Sequence, residues 1–128
     1  MQGTFIRLGA IFAMTAVVLG AFGAHALKEV LESAQLETFE IGVRYQFYHA
    51  LGLILAGLLQ QHLESKHLHR TGWLFVAGIC LFSGSLYLLA AQDALGVNLS
   101  WLGPVTPIGG TLFIIGWGLL LLPVGKKK

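Results

Sequence analysis

The sequence predicts an all-α membrane fold: a polytopic four-helix bundle with a short amphipathic helix between the first and second spans. Three observations carry this. Only 11% of the residues are charged and 55% are hydrophobic, whereas soluble domains carry about 25% charged residues. The apolar residues fall in four blocks free of Asp, Glu, Lys and Arg: 8–24, 45–61, 71–92 and 108–124. Each block has the length that a spanning helix needs, roughly 17–25 residues. Together with their connections they use up the 128 residues, which make one domain, 1–128. The mean hydropathy of +0.75 agrees.

The first span is expected at about 5–24. Arg7 before the apolar run and Ala24-His25-Ala26 after it resemble a signal peptide with its cleavage site. The run is long for such a segment, however, and Ala16, Gly20 and Ala24 have the four-residue spacing that lets membrane helices approach closely. The helix is therefore expected to be retained. Residues 25–42 are the one polar stretch of any length. Leu27, Val30, Leu31 and Ala34 recur at helical spacing, with Lys28, Glu29 and Glu32 on the other side, which predicts a short helix lying on the membrane surface.

The second span is expected at about 43–61, beginning in water near Leu36. Glu40 and Arg44 stand four apart, acid first, the favourable order for a helical ion pair at the membrane boundary. Gly52 and Ala56 repeat the small-residue spacing. A polar turn, 60–70, leads to the third span at about 71–91, with Ser83-Gly84-Ser85 inside it. Gln92 to Pro107 reads as a loop resting on the membrane through Leu99, Trp101 and Leu102. Thr106-Pro107 predicts the start of the fourth span, about 107–124, with the threonine as cap and the proline at the first helical position. Cys80, the single cysteine, lies in the third apolar block and is expected to be a packing residue.

Four spans place the N-terminus, the second loop and the C-terminus on one side. That side carries Arg7, Lys66, Arg70 and Lys126 to Lys128, and the other carries Lys28 and Arg44. The positive-inside rule then puts both termini in the cytoplasm. The net charge of +2 is too small to suggest a nucleic-acid partner.

The chemistry-bearing residues crowd into one segment, Val43 to Leu51. Tyr45, Tyr48, His49 and Gly52 fall on one helical face, with Gln46 off it. A histidine within a span must face the bundle interior or a wet cavity, so this face is expected to point inward. His25, at the same end of the first span, can approach it. The functional reading makes His25, Arg44, Tyr45, Gln46, Tyr48 and His49 a small polar pocket. It would bind a lipid or quinone headgroup or relay a proton. The simpler reading, and the preferred one, is a hydrogen-bond network that sets helix register. His62, His67 and His69 with Glu64 match no zinc spacing and have no cysteine partner, so no metal is expected. There is no Walker loop, H-E-x-x-H or G-x-S-x-G, and Asp93, the one aspartate, lies in a loop. No cofactor is expected, and an enzyme has the least support.

Gly20 to Leu27, Val43 to Leu51, Leu81 to Tyr87 and Leu102 to Gly110 resemble the motifs of the YgdD/YwdK-type family. These are small bacterial inner-membrane proteins of unknown function, with eukaryotic relatives among uncharacterised transmembrane proteins. The resemblance runs in order over nearly the whole chain. It implies four spans in the inner (plasma) membrane and a retained first helix. It brings no established activity, although the six pocket residues match the family motifs position by position. The combined expectation is a non-enzymatic structural or assembly component in contact with membrane lipids. Self-association would use the Gly/Ala helix faces. The alternative is a ligand-binding or proton-handling membrane protein.

Overall fold

In the computed structural model, which describes residues 2–126, four helices run alternately up and down. Helix α1 covers 2–27: an α-helix Gln2–Val18, a π-helical turn Leu19–Gly23 and a last turn Ala24–Leu27. Helix α2 is Ser33–Gln60. Helix α3 covers 66–95, again with an internal π-helical turn, Ile79–Ser83. A 3-10 turn, Ser100–Leu102, precedes α4, Val105–Leu119. Helix α1 packs on α2, α2 on α3 and α3 on α4. Two short strands, β1 (Leu63–Glu64) and β2 (Gly125–Lys126), pair antiparallel and tie the second loop to the C-terminal segment. The N-terminal turn of α1 lies at that same end, with Phe5 against His69 and Trp73.

Large apolar side chains stand on the outside of every helix. Ile11, Met14, Phe22, Leu51, Leu55, Leu88, Ile114 and Leu121 are all exposed. In the most apolar stretch of α1 only 17% of residues are buried. A continuous apolar exterior of this kind is what hydrocarbon solvent permits and water does not. Three of the helices, Gly3–Leu27, Lys66–Leu95 and Ser100–Leu119, are long and apolar enough to cross a membrane. Helix α2 is long enough at 28 residues, but Arg44, Gln46 and His49 in its middle lower its hydropathy.

The short amphipathic helix expected within 25–42, on Leu27, Val30, Leu31 and Ala34, does not form as a separate element. Its first residues prolong α1, the chain turns over Lys28–Glu32, and Ser33 already belongs to α2. The side chain of Gln35 accepts the backbone N–H of Glu32 at 3.2 Å, which closes the first turn of α2. The apolar spacing was real, but it serves a different contact. Leu31 folds back, its N–H bonding the Leu27 carbonyl at 2.8 Å, and packs with Phe39 and Ala90 to plug this end of the bundle.

Two other boundaries differ. Thr106 does not cap α4. Pro104 precedes the first turn, and the Thr106 hydroxyl is spent 2.6 Å from that of Ser85 on α3. Helix α4 stops at Leu119 rather than Val124, because Pro123 cannot continue a helix and Gly125 is drawn into the pairing with Glu64. Lys127 and Lys128, part of the expected basic tail, lie outside the described residues.

The helices close tightly where side chains are smallest. A Cβ on Gly9 of α1 would stand 2.7 Å from the Ala50 carbonyl oxygen of α2. The apolar core has two parts. Phe5, Leu53, Phe75, Ile79 and Phe113 fill the end near the strands, and Leu31, Phe39 and Ala90 fill the other. Along α2, Gln46 and His49 lie between these two clusters.

Candidate functional site

Gln46 is 4% exposed and joins three helices. Its Nε2 donates to the Phe12 carbonyl at 2.8 Å and to the Thr15 hydroxyl at 2.7 Å, both on α1. Its Oε1 accepts the Tyr87 hydroxyl of α3 at 2.6 Å. One turn away, the Ser83 hydroxyl donates to the Gly42 carbonyl at 2.7 Å, a second tie between α2 and α3. Ser83 ends the π-helical turn of α3. Such a turn inserts one extra residue and re-aims the side chains after it.

His49 is 5% exposed. Its Nδ1 lies 2.7 Å from the Tyr45 carbonyl, and its Nε2 lies 3.0 Å from the Trp117 Nε1 of α4. A carbonyl can only accept and an indole N–H can only donate. These partners therefore assign the neutral ring with its proton on Nδ1. The imidazole stacks on Phe113, centroids 3.5 Å apart, with the edge of Phe75 at 5.2 Å. It is an aromatic box rather than a wet cavity.

The six expected pocket residues are thus divided, and the inward face is rotated from the one read off the sequence. His49 and Gly52 do face inward. Gln46, placed off the face, is the most completely bonded residue of the group. Tyr45 and Tyr48 are 39% and 53% exposed and turn outward, as does Arg44. His25 does not join them. It is exposed on the last turn of α1, two residues beyond Gly23, which lies against Phe39. Phe39 and His49 are ten residues apart on α2, about 15 Å of rise. The Glu40–Arg44 ion pair is absent, since among the described residues no carboxylate lies within 4.0 Å of Arg44. An exposed pair of this kind gains little against the freedom of two long side chains.

The residues that sequence reasoning missed are the partners. Trp117, Phe113, Thr15 and Tyr87 all lie in apolar blocks of other helices. Trp117 did carry a signal, because an indole N–H within a span needs an acceptor. Further ties follow the same pattern, such as the Thr71 hydroxyl of α3 donating to the Gly116 carbonyl of α4 at 2.9 Å. Among the described residues no three His, Cys, Asp or Glu gather as a metal site would require.

Outside the bundle, Arg44 and Tyr48 line a groove of about 370 Å³ between α1 and α2, floored by Ala16 and Gly20. At the strand end, Lys66, Arg70 and Lys126 border an open depression of about 760 Å³.

An apolar exterior, helices of spanning length and a central layer in which Gln46 and His49 are bonded within the bundle define a small helical membrane protein. The chain belongs to the family described as "Protein of unknown function (DUF423)", whose pattern matches residues 19–110. It is 45% identical over 123 residues to the UPF0382 membrane protein YwdK of Bacillus subtilis (strain 168), covering 95% of this chain and 96% of that protein. It is also 45% identical over 124 residues to the UPF0382 membrane protein SSP2132 of Staphylococcus saprophyticus, covering 97% of each. A UPF0382 membrane protein of Staphylococcus epidermidis is 47% identical over 122 residues, 95% of each. The resemblance read from the four motifs is therefore correct at the level of family. No solved structure matches the chain.

Proposed function

We propose that the protein is a non-enzymatic structural or assembly component of the bacterial plasma membrane, crossing it four times with both ends of the chain in the cytoplasm. The observation that supports this most directly is the saturation of the central polar layer; among the described residues the buried side-chain nitrogen without a partner, His67 Nδ1, lies away from it at the strand end. Both ring nitrogens of His49 and both polar atoms of the Gln46 side chain are engaged within the protein. A proton relay needs a group that exchanges partners, and a ligand site needs one that lacks them. This core offers neither.

Helix α2 spans because Gln46 and His49, the polar residues at its centre, turn inward, while Leu51, Leu55 and Leu58 face outward and Arg44 and the two tyrosines lie nearer the boundary. The orientation follows from charge. Arg7, Lys66, Arg70 and Lys126 collect at the strand end, and Lys28, Glu29, Glu32 and Asp93 at the other. Self-association would rely on small residues left outside, such as Gly118, since Gly52 and Ala56 are used within the chain.

The test is proton permeability of liposomes holding the purified protein and a pH-sensitive dye. Vesicles with wild-type protein should leak no faster than empty ones, and His49→Leu should change nothing. A wild-type leak that His49→Leu abolishes would overturn the reading in favour of proton handling.

A further inference from the structure

We propose that the outer groove between α1 and α2 holds a phospholipid, with one acyl chain along its floor and the phosphate taken by Arg44. This goes beyond the structural role above and does not depend on it, since none of the saturated interior groups takes part. The groove exists because α1 presents Ala16, Gly20 and Ala21, with Val17 at the side, where α2 presents Val43, Phe47 and Tyr48. Its walls are apolar, Arg44 lining them with its stem, and the exposed guanidinium that stem carries brings the charge to this face.

Arg44 is the residue that names the occupant. It is exposed on a surface that otherwise faces hydrocarbon, and no carboxylate of the described residues lies within 4.0 Å of it. Glu40, one turn nearer the end of the bundle, does not pair with it. A cation in that position takes its counter-charge from its surroundings, and in a bilayer the abundant anionic oxygens are phosphates. A guanidinium meets a phosphate with two parallel N–H donors, which fixes orientation as well as charge. The depth also suits. Val43, next to Arg44, packs at Gly20, four residues or about 6 Å inside the end of the apolar run at Ala24. That distance lies within the outward reach of an arginine stem. An acyl chain lying below the phosphate would then follow the groove past Tyr48 and Ala16.

The experiment is native mass spectrometry of the detergent-purified full chain with three probes. These are palmitoyl-oleoyl phosphatidylglycerol, the diacylglycerol with the same chains, and inorganic phosphate. The wild type should bind the phospholipid at least tenfold more tightly than either other probe. Arg44→Gln should weaken phospholipid binding about tenfold, the loss of one charged hydrogen bond. Ala21→Phe, which fills the groove from its exposed rim, should weaken it independently. Both variants should keep the wild-type thermal unfolding. Equal binding by Arg44→Gln and wild type, or by diacylglycerol and phospholipid, would overturn the proposal. So would a wild type that binds no lipid but forms dimers lost in Ala21→Phe, which would make the groove a contact between copies.

Discussion

Gln46→Met isolates the contribution of the interior polar layer. Methionine has the length and nearly the shape of glutamine but neither donates nor accepts strongly. The substitution removes the bonds to Phe12, Thr15 and Tyr87. Interhelical hydrogen bonds in membranes average roughly 0.6 kcal/mol each, so the three come to about 2 kcal/mol. A second cost follows from what is left behind. The Thr15 hydroxyl keeps its bond to the Phe12 carbonyl at 3.1 Å, but the Tyr87 hydroxyl loses its acceptor. An orphaned polar group costs about 1–3 kcal/mol, and for the partly buried Tyr87 the lower end applies. The expected loss is about 3 kcal/mol. Tyr87→Phe alone should cost about 2 kcal/mol, because it removes one bond and leaves the buried Gln46 Oε1 without its donor. In the double variant the shared bond is lost only once and neither partner is left unpaired, so the two losses should fall short of adding by about 2–3 kcal/mol. The assay is reversible unfolding in mixed micelles, followed by tryptophan fluorescence. A Gln46→Met loss below about 0.5 kcal/mol, or strict additivity with Tyr87→Phe, would refute the claim that this layer stitches the helices.

Three further outcomes follow from the geometry. Nitrogen-15 NMR of labelled histidine should find His49 with its proton on Nδ1, and Trp117→Phe should leave it there, held by the Tyr45 carbonyl, while shifting the Nε2 resonance. A proton on Nε2 in the wild type would contradict the assigned bonding. Gly9→Ala should cost about 1 kcal/mol or more despite alanine's better helix propensity, because the new methyl meets the immovable Ala50 carbonyl. Unchanged thermal unfolding would show that α1 does not approach α2 as described. In a Cys80→Ala background, Glu64→Cys and Asn98→Cys should be labelled by an impermeant maleimide from opposite sides of sealed vesicles. Labelling of both from one side would mean that α3 does not cross.

The family was legible because its motifs are runs of consecutive residues, and the helices were legible because chain length against bilayer thickness is a one-dimensional constraint. Residues 25–42 show where that kind of reading stops. Periodicity marked Leu27 and Leu31 as sharing a face, yet the face closes the bundle instead of lying on the membrane. Whether an apolar stripe meets protein or lipid depends on where the neighbouring helices end. The inward face of α2 was misjudged for a related reason. Tyr45, Tyr48 and His49 share a stripe, but α2 is contacted by helices on more than one side, and Gln46 fits the seam between α1 and α3 while Tyr48 meets the outside. The lone glutamine carried less weight than the aromatic hydroxyls, although its amide needs the most partners.

From the sequence alone came the solvent, the number of helices, the end at which basic charge collects and the stretch of α2 where polarity concentrates. Each of these depends on composition along a line. The tertiary structure alone decided which polar residues face in, the tautomer of His49, the disposition of Arg44 on the outside and the helices that share each bond. Gln46 finds its partners 31, 34 and 41 positions away, and His49 finds Trp117 at 68. A donor in hydrocarbon must be satisfied, but which acceptor satisfies it is settled only when the helices have packed.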